Sequence, residues 1–214
     1  MINSELQICL IIFSYLLGSI STSIIICKIK KVDIRKIGSG NAGATNTVRA
    51  LGKKYGAMVL ILDILKGALP TMTAKLLSPE SLILPICCAF ASVAGHVFPI
   101  YFTFKGGKGA ATIIGTIAII FPLGSLICLL TWISVLILSG YVGLATIITA
   151  IIFPISILIF ADINLIFFGI TAMLFILGAH NNNIIRLIQG KENRFEKIYI
   201  FNPNSVFKKK SKYN

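Results

Sequence analysis

The chain has 214 residues, 56% of them hydrophobic and 13% charged, with a formal net charge of +13. A soluble domain carries about a quarter charged residues, so these figures exclude an ordinary soluble fold and point to an all-α integral membrane protein. The five cysteines are odd in number, sit in or beside apolar segments and show no C-x-x-C spacing, which argues for packed bystanders rather than a disulfide framework, a zinc site or a redox pair.

The first apolar run, residues 6–26, is about 21 residues long, and a crossing needs roughly 20. The residues before it, MINSE, lack the basic start of a secretory signal, and it ends in KIKKVDIRK instead of a small-residue cleavage site. A retained helix is therefore expected. A polar island follows, KIGSGNAGATNTVRALGKKYG at residues 36–56. Apolar residues 55–77 then predict a second crossing, SPES a turn, and residues 82–104 a third. The second island, FKGGKGAAT, occupies residues 104–112, with a helix predicted to start at Ala110.

No Asp, Glu, Lys or Arg occurs between Lys108 and Asp162. One helix of about 53 residues would be about 80 Å long, against a hydrocarbon core of about 30 Å. Three crossings fit, with breaks near FPLG (121–124) and LSGYVG (138–143). The piece at 109–120 rises only about 18 Å as a helix and must be short, tilted or shielded by protein. Residues 163–179 complete seven predicted transmembrane helices. The third island, HNNNIIRLIQGKENR, spans residues 180–194. No internal repeat of the kind that marks many secondary transporters is visible.

All basic residues except Lys66 and Lys75 fall in the three islands, their flanks or the C-terminus, whereas Glu5, Glu80 and Asp162 fall in the alternate connections. The positive-inside rule then places the three motif loops and the C-terminus in the cytoplasm and the N-terminus outside. The expected organisation is one membrane domain, residues 1–197, and a basic tail, residues 198–214. On so apolar a chain that tail suits anionic lipid rather than nucleic acid.

The islands have a composition suited to anions. Gly38-Ser39-Gly40-Asn41-Ala42-Gly43 lets the backbone take positive φ cheaply, so successive N–H groups can converge into a nest. Ser39, Asn41, Thr45 and Asn46 add neutral partners, and Arg49 adds a planar fork suited to phosphate. A plain well-capped turn is the competing reading. Lys105, Gly106, Gly107, Lys108 and Gly109 precede a helix start, where free N–H groups favour an anion; a bare positive anchor is the competitor there. The P-loop pattern fails, because Gly109 follows Lys108 where Ser or Thr is required. His180, Asn183 and Arg186 recur at three-residue spacing on one helical face. Asp63 and Lys66 stand inside a crossing, as a functional pair or a structural ion pair. His96 lies near the inner end of the third crossing, as a functional residue or as one that packs and bonds to the second island.

Several chemistries drop out. There is no G-x-S-x-G elbow and no H-E-x-x-H. The acyltransferase signature of His followed five residues later by Asp fails, since His96 meets Tyr101 and His180 meets Ile185. No metal or coenzyme site is visible. Cationic and neutral donors around a phosphorylated substrate beside lipid remain. They support an enzyme of phospholipid assembly or an organophosphate permease, the latter disfavoured because the islands share one face. A structural scaffold leaves the glycine spacing unexplained.

GSGNAGATNTVRALG, GHVFPIYFTFKGGKGAAT and HNNNIIRLIQGKENR resemble, in order and spacing, the three motifs of the bacterial acyl-phosphate-dependent glycerol-3-phosphate acyltransferase (PlsY) family. The resemblance covers the chain to about residue 197. Ala110 stands where that family often has valine. The resemblance implies a seven-helix inner-membrane protein with a cytoplasmic active site, multi-pass and without cofactor. It implies transfer of a long-chain acyl group from acyl phosphate to the 1-hydroxyl of glycerol 3-phosphate, giving lysophosphatidate and phosphate. Carried over residue by residue, it implies catalytic Ser39, Arg49, Lys108, His180 and Asn183. Asn41, Thr45 and Asn46 would bind phosphate; Lys105 and Arg186 are expected to join them from the basic composition of the second and third islands, not from the resemblance. Gly40, Gly43, Gly106, Gly107 and Gly109 would shape its cradles, and Glu192 would orient a basic partner. Independently of the resemblance, the intramembrane positions of Asp63, Lys66 and His96 make them expected supports of the site. An acyl phosphate already has a good leaving group, so no covalent nucleophile is required. The hydroxyl proton would pass to His180 or to a substrate phosphate oxygen.

Overall fold

The computed structural model describes residues 3–194. The end of the expected domain at residue 197 and the whole basic tail at 198–214 lie outside the described residues.

The first crossing is Ser4–Ile29, longer at both ends than residues 6–26. It is two helices, α1 (Ser4–Gly18) and α2 (Thr22–Ile29). Asn3 starts α1, its Oδ1 accepting the Leu6 N–H at 3.1 Å. The break between the helices frees the Ile20 carbonyl, which accepts a hydrogen bond from Lys66 Nζ at 3.0 Å. A carbonyl left unpaired in a hydrocarbon environment would be costly, so an intramembrane lysine and a helix break belong together here.

The first island contains a helix of its own, α3 (Ala44–Leu51). Gly52, at φ 88°, turns the chain directly into α4 (Lys53–Leu77). The second crossing therefore begins two residues earlier than its apolar run suggests. α5 (Ile83–Val97) follows, and a short 3-10 turn at Ile100–Phe102 leads into the second island.

The charge-free run is divided where expected. α6 (Ala110–Ile120) ends at Phe121, Pro122 opens α7 (Pro122–Ser139), and Gly140 at φ 77° ends it before α8 (Val142–Phe160). Pro122 can begin a helix because its missing N–H is one that no helix start can pair. α9 (Ile166–Ala179) follows a 3-10 turn at Ile163–Leu165, and α10 (Asn181–Ile188) closes the described chain.

Among the described residues, five helical segments are long and apolar enough to cross a membrane: Ser4–Ile29, Lys53–Leu77, Ile83–Phe102, Pro122–Ser139 and Val142–Phe160. Ile163–Ala179 with Asn181–Ile188, bent by 61°, is a sixth if counted as one span. The expected seventh, Ala110–Ile120, has only 11 residues. It rises about 16 Å, half of a hydrocarbon core. Protein shields it. Gly67 and Gly115 let α4 and α6 approach so closely that a Cβ at either would overlap a backbone carbonyl of the other helix. Lys75 Nζ donates to the Ile119 carbonyl at 2.7 Å, pairing an acceptor that the helix end leaves open.

α1 packs on α4 and α5, α6 on α4, α5 and α7, and α8 on α7 and α9. The largest core joins α5, α6, α8 and α9 around Val93, Ile113, Ile157 and Phe168. The Phe168 ring meets Phe90 and Phe153 edge-on, with centroids 5.5 and 5.7 Å apart. Cys27, Cys88 and Cys128 are buried, Cys9 and Cys87 exposed, and all five are free.

Candidate anion site at the mouth of an apolar channel

The three islands meet. One cavity of about 520 Å³ is lined by Ser39, Asn41, Gly43, Thr45, Asn46 and Arg49 from the first, Lys108 and Gly109 from the second, and His180, Asn183 and Glu192 from the third. Two helix beginnings open into it. Ala44, Thr45 and Asn46 form the first turn of α3, and Ala110 and Ala111 that of α6. First-turn N–H groups have no intrahelical partner and carry a positive partial charge, so both ends favour an anion.

Backbone geometry brings the loops this close. Gly109 stands at φ 81° immediately before α6. The N–H groups of Gly106 and Gly107 donate to the Val97 and His96 carbonyls at 3.0 and 3.1 Å, pinning the second loop to the end of α5. A Cβ on Gly107 would overlap the His96 ring and come within 2.5 Å of the Ala42 carbonyl. The first and second islands are therefore in contact at a point where only glycine fits.

A chain of hydrogen bonds links the second island to the third. Lys108 Nζ donates to Asn183 Oδ1. Asn183 Nδ2 donates to Glu192 Oε1 at 2.8 Å, and Arg186 Nε donates to Glu192 Oε2 at 2.8 Å. The helical face shared by Asn183 and Arg186 thus closes on one carboxylate. Burial, helped by nearby Arg186 and Arg49 and opposed by Glu192, lowers the Lys108 pKa to about 8. Burial also lowers the Arg49 pKa, with Glu192 opposing and Arg186 adding to the shift. Such crowding of cations in a partly desolvated pocket is unfavourable until an anion arrives. His180 caps α9 and is buried, and its Nδ1 lies 2.8 Å from the Ile176 carbonyl. That carbonyl can only accept, so Nδ1 carries the proton and Nε2 keeps the lone pair.

Some expected roles change. The loop N–H nest is not built. Ser39 N–H donates to Asn46 Oδ1 at 3.1 Å, Gly40 N–H to the Ile37 carbonyl at 2.9 Å, and Gly43 N–H to the Asn41 carbonyl at 3.1 Å. Asn46 is buried, and its Nδ2 donates to the Ile34 and Ile37 carbonyls at 3.1 and 2.8 Å. Both its N–H bonds are spent on the loop, so it braces the cradle and has no donor left for phosphate. Glu192 accepts from Asn183 and Arg186 and holds those donors in place. Gly40, Lys105, Gly106, Gly107 and Arg186 do not line the cavity, and Lys105 is exposed.

The intramembrane pair serves mainly as a tie. Asp63 Oδ1 accepts from Lys66 Nζ at 3.0 Å and from Thr22 Oγ1 at 2.7 Å, joining α4 to α2. Asp63 and His96 line the cavity, while Lys66 does not. His96 Nδ1 lies 3.7 Å from Asp63 Oδ1 and has no hydrogen-bond partner among the described residues.

Away from the polar end the cavity becomes an apolar channel. Leu60 and Ile64 of α4, Ile113 and Ile117 of α6, Leu129 and Trp132 of α7, Phe153 of α8 and Ile176 of α9 wall it. Leu60 and Leu129 are also exposed, so the channel opens sideways towards lipid. Sequence patterning gives no sign of these residues as a group, since each reads as one more apolar position in a crossing. Arg35 is a further missed residue. Its Nη2 donates to the Lys105 carbonyl at 2.9 Å and the Phe102 carbonyl at 3.4 Å, clamping the first island to the second.

Fold and site define a class: a multi-pass helical membrane protein with a cationic pocket continuous with a lipid-facing channel. A family profile described as glycerol-3-phosphate acyltransferase matches residues 8–190. The chain belongs to the glycerol-3-phosphate acyltransferase family. It is 45% identical over 189 residues to the enzyme so named in Aquifex aeolicus, covering 87% of this chain and 97% of the relative. It is 40% identical over 190 residues to that of Francisella tularensis subsp. holarctica, covering 88% and 93%. Two crystal structures of PlsY, described as an integral membrane glycerol 3-phosphate acyltransferase, share its fold. The glycerol 3-phosphate form superposes with a TM-score of 0.86 over 91% of this chain and 98% of that one, at 40% identity. The lysophosphatidic acid form gives 0.84 over 90% and 96%, also at 40% identity.

Proposed function

We propose that the protein transfers the acyl group of a long-chain acyl phosphate to the 1-hydroxyl of sn-glycerol 3-phosphate. The products are 1-acyl-sn-glycerol 3-phosphate and phosphate, and the reaction is the first acylation of phospholipid synthesis. The observation that carries this reading is the junction of a cationic pocket, built from all three islands, with an apolar channel open to lipid. A soluble phosphate ester can enter the first and an acyl chain the second, so the two substrates meet where the pocket and channel join.

The site must hold two phosphate groups despite their repulsion, roughly 4 kcal/mol for unit charges 4 Å apart at an effective dielectric of 20. Lys108, Arg49 and the beginnings of α3 and α6 offset it. Asn183 aims the Lys108 ammonium, and Glu192 with Arg186 keeps Asn183 in register. The hydroxyl oxygen attacks the acyl carbonyl carbon. The bond from that carbon to the bridging phosphate oxygen breaks, and phosphate leaves with the electron pair. The remaining N–H of Asn183, or a first-turn N–H, stabilises the carbonyl oxygen as it becomes anionic, a contribution of about 3 kcal/mol per donor. His180 Nε2 accepts the hydroxyl hydrogen bond and orients the nucleophile, and the proton passes to a phosphate oxygen of the acyl donor.

The same reading includes the topology. Residues 1–197 form one domain of seven crossings in the bacterial inner membrane, with α6 a shielded half-length crossing and the N-terminus outside. The three islands, the active site and the C-terminus face the cytoplasm. The test is purified protein supplied with palmitoyl phosphate and glycerol 3-phosphate, with phosphate release followed for wild type, Arg49→Ala and Lys108→Ala. Release that depends on both substrates and falls in both variants supports the assignment. Folded protein that moves glycerol 3-phosphate across vesicles without consuming acyl phosphate refutes it.

A further inference from the structure

A second cavity, of about 580 Å³, lies where the end of α2 meets the turns at Ile34–Lys36 and Ile100–Phe102. It shares no lining residue with the anion pocket. Lys28, Lys31 and Arg35 line it, against one carboxylate among the described residues, Asp33. That carboxylate is already engaged. Its Oδ1 accepts the Arg35 N–H at 3.1 Å, and its Oδ2 lies 3.9 Å from Lys36 Nζ. Ile24 and Phe102 form an apolar wall beside the cations. Exposed Ile25, Ile29 and Tyr101 continue that wall onto the outer surface of the helices.

The backbone is strained at this cleft. Among the described residues, the non-glycine positions with positive φ are Lys31 at 55°, Thr103 at 55° and Phe104 at 56°. Lys31 and Thr103 line the cavity, and Phe104 follows directly. Lys31 ends α2: its N–H donates to the Lys28 carbonyl at 3.0 Å, and the Val32 N–H donates to the Cys27 carbonyl at 2.9 Å. Glycine is the usual residue at such a helix end. A lysine there carries a backbone cost and places an ammonium in the cleft. Thr103 is β-branched, which makes its positive φ still less favourable. Strain of this kind gathers where a side chain has a use.

We propose that this cleft binds the phosphate of an anionic membrane phospholipid, with Lys28, Lys31 and Arg35 around the headgroup and an acyl chain along Ile24 and Phe102. A headgroup with its own hydrocarbon satisfies both walls, whereas a free phosphate uses only the cations. The proposal goes beyond the acyl transfer, because the cleft is separate from the anion pocket and its occupant is not consumed.

The test is the full chain reconstituted in phosphatidylcholine vesicles carrying spin-labelled phosphatidylglycerol, with the motionally restricted lipid measured. Wild type is compared with Lys28→Gln/Lys31→Gln and with Lys53→Gln/Lys54→Gln, which removes the same charge from an exposed site outside the cleft. Arg35 is left intact because it clamps two loops. The cleft pair is expected to lower the association constant at least about fivefold, the worth of one basic side chain near an anionic headgroup. The control pair is expected to change it by less than about twofold, and inorganic phosphate is expected not to displace the lipid. Equal losses in both pairs would assign the binding to diffuse surface charge and overturn the proposal. So would displacement by phosphate, or equal restriction of spin-labelled phosphatidylcholine. If the cleft pair does not fold, the single variants Lys28→Gln and Lys31→Gln serve instead, and no loss in either overturns it. The readout is lipid binding, so its failure is distinct from a failure of acyl transfer.

Discussion

Raising the pH tests Lys108 most directly. Its pKa is lowered to about 8 by burial and by the neighbouring arginines, from about 10.4 for a free lysine. The sign follows from the charge. Below about pH 8 the side chain is an ammonium that attracts phosphate, and above it the side chain is neutral. Glycerol 3-phosphate is fully ionised well before this point, since a phosphate monoester has its second pKa near 6. kcat/KM for glycerol 3-phosphate reports the free enzyme, and is expected to be about tenfold lower at pH 9 than at pH 7. Lys108→Arg retains a cation that stays protonated throughout this pH range. Its activity is expected to be reduced by the poorer fit, but the alkaline limb should vanish. Lys108→Met removes a charged hydrogen-bond donor worth about 1.5–3 kcal/mol, or about 10- to 150-fold in kcat/KM. Initial rates of phosphate release, corrected for spontaneous acyl phosphate hydrolysis, measure all three. A wild-type profile flat through pH 9, or an identical alkaline limb in Lys108→Arg, would refute this assignment.

Four further outcomes are expected. Asn46→Ala removes three hydrogen bonds that hold residues 34–39; KM for glycerol 3-phosphate should rise at least about tenfold, at about 1 kcal/mol or more per bond, although no phosphate contact is deleted. Asp63→Ala leaves Lys66 buried without its partner and should cost about 3–5 kcal/mol, seen as a lower Tm in detergent, with Asp63→Leu/Lys66→Met recovering much of it. Gly107→Ala drives a Cβ into the His96 ring; parting the first two loops should reduce kcat/KM by about 100-fold or more, as a misplacement of about 1 Å can, and an activity within a few fold of wild type would contradict the close contact. His180→Gln should keep measurable activity with the shape of its pH–rate profile unchanged, because the nucleophile is oriented but not deprotonated by His180; a lost limb would make His180 the base.

Much of the fold is legible in the sequence because each signal is local. An apolar run of about 20 residues has few options other than a helix in lipid. Phe121-Pro122 and Gly140 end helices by backbone restrictions that act within one or two residues. The three islands stand out because polar residues are costly in such a setting, so composition alone identifies Arg49, Lys108, His180 and Asn183 as candidates. The helix hidden in the first island is less visible, since only half of Ala44–Leu51 is apolar and the helix owes its place to packing against α4.

What only the tertiary structure decides is which donors remain free. Ser39, Gly40 and Gly43 are spaced for a nest of N–H groups, yet each N–H finds an acceptor within the same island. Asn46 resembles a phosphate ligand in composition and is a brace in three dimensions. The helix beginnings at Ala44 and Ala110, far apart in the chain, line the candidate anion pocket instead. Likewise the channel walls come from five helices whose apolar residues look alike in sequence. A hydrogen bond is exclusive and depends on partners that the fold brings together, whereas hydrophobicity and backbone restriction belong to a residue wherever it sits; that is why the helices and the candidate site residues could be read from the chain and the hydrogen-bond roles of those residues could not.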